Sequence, residues 1–60
     1  MKNYIYENNQ KVRINIRAYD YHDAMEKLYG AKDKGINPEY WQLVTCVNDE
    51  VAKKLDLPTI

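Results

Sequence analysis

The sequence predicts a small α+β domain: a two-layer ββαβ arrangement with a three-stranded sheet, one main helix on one face, and a short C-terminal helix. Three observations predict it. Val12, Ile14, Ile16 and Ala18 alternate with Lys11, Arg13, Asn15, Arg17 and Tyr19, the period-two pattern of a strand with one apolar and one wet face. Tyr21, Ala24, Met25 and Leu28 recur at i, i+3, i+4 and i+7, a single helical stripe that must cover something. Trp41, Leu43, Val44, Cys46 and Val47 then crowd one short segment rich in strand-favouring types.

The first two strands form a hairpin over residues 3–19. Tyr4-Ile5-Tyr6 favours a strand, and Asn8-Asn9 tolerates the positive φ that a two-residue turn needs. Loop length decides which side the tyrosines occupy, because a one-residue slip inverts a strand. With Asn8-Asn9 as the turn, Ile5 opposes Val12, Tyr6 opposes Lys11 and Tyr4 opposes Arg13, so Ile5 points inward and both tyrosines outward. A three-residue loop would set Tyr4 opposite Ile14 and Tyr6 opposite Val12, and reverse this. The Asn-Asn pair favours the shorter turn.

The main helix is placed at 20–34. Asp20 can cap its N-terminus, with Asp23 three residues on in the position of a capping box, and both carboxylates suit the positive end of the helix. Gly35 followed by Ile36 fits a C-terminal cap, with Gly30 as an earlier stop. Asn37-Pro38-Glu39 makes a turn, and the third strand runs over 40–47. Its residues are apolar at both parities, which suggests a central position or a second covered face. Asn48 can cap a short helix from Asp49 to Leu55, and Pro58 discourages its continuation.

Sixty residues allow one small domain that buries only about 60% of the surface its unfolded chain exposes, so outside support is often needed. Cys46 is the lone cysteine, which excludes an internal disulfide, and one Cys with one His falls short of the roughly four ligands of a structural zinc site. That leaves association as the support. No apolar run approaches the roughly 18 residues that would span a bilayer, and the N-terminus lacks the hydrophobic stretch of a signal peptide, so no membrane partner and a cytoplasmic location are expected.

Nine Lys and Arg balance nine Asp and Glu, yet the charge is segregated: residues 1–17 carry +3 and residues 18–60 carry −3. With the tyrosines outward, the wet face of the basic hairpin presents Tyr4, Tyr6, Lys11, Arg13, Asn15, Arg17 and Tyr19. That mixture can stack on bases or pair with acidic groups, and it is the predicted partner-binding surface. The same residues also describe an ordinary wet sheet face with tyrosines lying over arginine stems. A catalytic Cys46–His22 pair would need contact and a third orienting group, but Cys46 falls in an apolar strand and His22 in the first turn of the helix. His22 and Glu26, four apart, supply only two ligands of a metal site. No phosphate loop or nucleophile elbow is present, so neither enzymatic activity nor a cofactor is expected.

Residues Glu50 to Pro58 resemble the first helix and turn of helix-turn-helix proteins, with Asp56 where those usually carry Gly. Only two residues follow, so no second helix is expected to enter a major groove. The junction Arg17-Ala18-Tyr19-Asp20-Tyr21-His22-Asp23-Ala24-Met25-Glu26-Lys27, set between a hairpin and a strand, looks like that of small bacteriophage and plasmid accessory proteins of ββαβ order, some anti-CRISPR proteins among them. The match at Asp20, Asp23 and Ala24 explains capping and packing, and no functional residue carries over.

One helix cannot roof both faces of a three-stranded sheet, and a large uncovered apolar surface usually marks a binding site. The expected function is therefore a non-enzymatic protein-binding module. The resemblance implies a phage-encoded inhibitor or modulator of a host protein, with a homodimer through the sheet as another route to cover. The alternative is a single-stranded nucleic-acid-binding protein using the basic aromatic hairpin, against which the zero net charge argues.

Overall fold

The computed structural model describes residues 1–60. Strand β1 (Lys2–Glu7) pairs antiparallel with both β2 (Arg13–Ala18) and β3 (Gln42–Val47), so the sheet order is β2-β1-β3. Helix α1 (Tyr21–Gly30) carries the chain from β2 to β3 across β1, and α2 (Asp49–Leu55) follows the last strand. This is the α+β architecture the sequence predicts, but the third strand is an edge and not the centre. Its two apolar parities have another cause. A bulge inserts Val44 between Leu43, which opposes Tyr6, and Thr45, which opposes Ile5, so the alternation is broken by one extra residue.

The hairpin register differs from both loops considered above. Glu7 opposes Arg13, Tyr6 opposes Ile14 and Tyr4 opposes Ile16, leaving five residues, 8–12, between the strands. The side chain of Asn8 widens the turn: its Oδ1 accepts from the backbone N–H groups of Gln10 and Val12, both at 2.9 Å, while Lys11 takes a left-handed φ of 66°. Being odd, this loop turns the tyrosines to the same side as the three-residue alternative would. Tyr4 and Tyr6 therefore join Ile14, Ile16 and Ala18 beneath α1, at 5% and 3% exposure, and the outward placement is overturned.

The cap of α1 forms as the spacing predicts. The N–H of Asp23 donates to Asp20 Oδ1 at 2.8 Å, and Asp23 Oδ2 reaches past the Asp20 N–H that a capping box would use to accept from the N–H of Tyr19 at 3.0 Å. The α-helix stops at Gly30 and tightens into a 3-10 turn, Ala31–Lys34, which Gly35 ends at φ 83°. A Cβ on Gly30 would meet nothing within 4 Å, and its backbone is right-handed. Gly30→Ala is thus expected to stabilise the fold by about 0.5–1 kcal/mol, and Gly35→Ala to destabilise it by a similar amount; chemical denaturation of the two variants checks the opposite signs.

Ala18 and Ala24 are fully buried where α1 lies on β2, and their small side chains let the helix come close. Leu28, Ala31 and Ile36 complete this core, with Trp41 and Ile60 partly buried against it. The opposite face also has a cover. Ile5 is 1% exposed there, and Asn3 and Asn15 are 2% and 5% exposed. Helix α2 lies on that side, where Asp49 accepts from Asn3, and the chain after it runs along the β2 edge, the Asn15 N–H donating to the Pro58 carbonyl at 2.8 Å and the Ile60 N–H to the Asn15 carbonyl at 2.9 Å. The last residues thereby extend the β2 edge through a bridge between Asn15 and Thr59.

Candidate functional site

The seven residues of the predicted binding surface do not form one patch. Tyr4 and Tyr6 are core. Asn15 is buried, and its Nδ2 donates to Asn3 Oδ1 at 3.0 Å. Lys11, Arg13, Arg17 and Tyr19 are exposed, but the cations already have carboxylate partners. Glu7 takes Arg13 at 3.0 Å and Lys11 at 3.9 Å. Asp49 holds the Arg17 guanidinium through two bonds, at 3.1 and 3.2 Å. A phosphate would have to compete for each, so the hairpin offers less to a nucleic acid than its composition suggests. Tyr19 stands free at the strand-to-helix corner.

The amides of Asn3 and Asn15 form a relay with Asp49. Asn15 donates to Asn3, and Asn3 donates to Asp49 Oδ1 at 2.7 Å and to the Val47 carbonyl at 3.4 Å. Asn15 Oδ1 is left without a partner. The Asn3 amide and then the Arg17 guanidinium hold the Asp49 carboxyl below its ordinary 3.8. A carboxyl depressed in the folded state stabilises above its unfolded value and loses that contribution as pH falls through the folded one. Stability is therefore expected to decline from about pH 5 downward. Asp49→Asn is expected to flatten that decline, and urea midpoints measured along a pH series check it.

A different surface emerges on the α1 side. Because α1 sits over β2, the part of this face nearest β3 is unroofed, and a hollow of about 250 Å³ opens between helix and strand. Tyr21, Met25 and Tyr29 line it from the helix, Trp41 and Leu43 from the strand side, and Tyr6 forms part of its wall. The Tyr6 hydroxyl is buried and bonds nothing. Burial lifts the Tyr6 phenol above its ordinary 10.0. Burial, followed by the neighbouring Cys46 thiol, does the same to Tyr4, whose ring meets Tyr21 at 6.3 Å.

Residues outside the helical stripe complete this hollow. Tyr29 stands one position past Leu28, and Leu43 is a strand residue whose face depends on the bulge. The one signal in the sequence was the crowding of apolar residues into 40–47, whose doubled parity comes from the bulge and not from a second covered face. Leu43 and Val44 are 41% and 43% exposed, and Cys46 is exposed beside them instead of buried. His22 lies 3.5 Å from Glu26 on the outer side of α1, and no hydrogen bond joins it to Cys46. No three His, Cys, Asp or Glu side chains gather to hold a metal, and no helix is long and apolar enough to cross a membrane. No family model, curated protein or solved structure matches the chain.

Proposed function

We propose that the chain is a non-enzymatic protein-binding module that engages its partner through the hollow between α1 and β3. The observation that carries this reading is an aromatic, uncharged hollow beside a buried hydroxyl that has no partner within the chain. Clustered Tyr, Trp and Met with few charges are the composition of interface centres, and a buried hydroxyl left unpaired costs about 1–3 kcal/mol, a cost relieved where a small shift of the ring brings it to an occupant's acceptor. A host protein modulated by a phage-type accessory protein is the target that the ββαβ resemblance implies. The basic hairpin enters this reading only as scaffold.

The test begins with capture on the intact immobilised chain from a bacterial lysate, with and without nuclease. The captured protein is then purified and titrated against variants. Tyr29→Lys places a charge at the rim of the hollow on an exposed helical position and is expected to weaken binding about tenfold or more, whereas Arg13→Ala leaves it within about twofold. Salt dependence should be weak. Capture that disappears with nuclease, or a steep salt slope together with loss on Arg13→Ala, overturns the reading in favour of nucleic acid.

A further inference from the structure

The two edges of the sheet are treated differently. Along β2, the chain's own last residues occupy the edge through the bonds of Asn15 with Pro58 and Ile60. Along β3, no backbone hydrogen bond reaches Gln42–Val47 from any element other than β1. An open edge presents a row of unpaired donors and acceptors, and proteins usually blunt it with Lys, Pro, a covering loop or a bulge. The segment Gln42-Leu43-Val44-Thr45-Cys46-Val47 has no charge and no Pro, and the bulge at Val44 is its single protection.

We infer that a second copy of this chain occupies that edge, β3 pairing antiparallel with its symmetry mate to make a six-stranded sheet. Two properties favour an identical partner. The segment is uncharged, so a two-fold axis through it brings no like charges together, and Asp49 just beyond its end is neutralised by Arg17. The whole chain has a formal net charge of zero, so no long-range repulsion opposes the meeting of two copies. The axis relating antiparallel neighbours stands perpendicular to the sheet, so both α1 helices fall on the same face. The two hollows then become the sides of one trough, floored by the paired β3 strands. This inference concerns the strand edge and stands whether or not the hollow has an occupant.

Light scattering and sedimentation equilibrium of the pure chain test it. The wild type is expected to have the mass of two chains, and Val44→Lys that of one, with a dissociation constant raised about tenfold or more and an unchanged circular dichroism spectrum. Val12→Lys, at a valine equally open to solvent in the hairpin loop, remains a dimer. Should Val44→Lys disturb the strand itself, a half-isotope-labelled wild-type sample decides: Hα–Hα contacts between β3 strands of different copies are expected. A wild type that stays monomeric up to millimolar concentration, or a dimer lacking those contacts, overturns the inference. A monomer whose captured partner is still lost on Tyr29→Lys would sink the dimer and leave the binding module standing.

Discussion

Tyr6→Ala is expected to abolish cooperative unfolding at room temperature, the largest effect of any single truncation in the chain. The ring is 3% exposed in a cluster of nine buried residues, and removing a buried aromatic costs about 3–5 kcal/mol. A domain this small has about that much stability in total. Tyr6→Phe should do the opposite. It keeps the ring and removes a hydroxyl that bonds nothing, so a gain of about 1 kcal/mol is expected. Thermal melts of the two variants separate the contributions of ring and hydroxyl. If a partner supplies the missing hydrogen bond, the stabilised Tyr6→Phe protein binds it less tightly than the wild type. Stability and affinity then move in opposite directions, an outcome that packing alone would not produce.

The second large effect lies on the other face of the sheet. Asn3→Ala is expected to destabilise by about 2–4 kcal/mol, because it strips the Asn15 amide of its only side-chain bond and Asp49 of its shortest one. Asn15 Oδ1 is already unpartnered, so after the change neither polar atom of that buried side chain has a side-chain partner. The double change Asn3→Leu with Asn15→Leu removes both amides of the relay and fills the space with apolar groups of similar volume. It is expected to come within about 1 kcal/mol of the wild type, or above it, since Asp49 keeps Arg17. Denaturant midpoints for the single and double variants test this, and additivity of two large losses would show that the relay is not coupled.

Much of the fold was legible because its signals are local. The cap at Asp20 and the left-handed stop at Gly35 each depend on a few neighbours in sequence and take their predicted places, and of the stripe Ala24 and Leu28 are buried while Tyr21 and Met25 line the hollow. Register is not local in that sense. Asn8 can serve a two-residue turn or hold a wider loop with its own side chain, and only the burial of Ile14 and Ile16 opposite Tyr6 and Tyr4 decides between them. That choice moved both tyrosines from surface to core and dissolved the proposed basic-aromatic face. The position of β3 was hidden for a related reason. A bulge and a central strand leave the same doubled apolar pattern, and they differ only in what lies alongside. The polar relay was out of reach as well, since Asn3, Asn15 and Asp49 meet across up to 46 positions of chain.

The order of the strands also bears on how the chain reaches its native state. The middle ribbon precedes both of its neighbours in the chain, yet one of them arrives some forty residues later, so the sheet must wait half-finished while the crossover is made. Such long-range closure slows folding relative to helical bundles of equal size and leaves no large piece able to persist alone. A protease cut between α1 and β3 is therefore expected to release two fragments that each lose structure, and mixing them should restore the circular dichroism signal only as fast as the fragments collide.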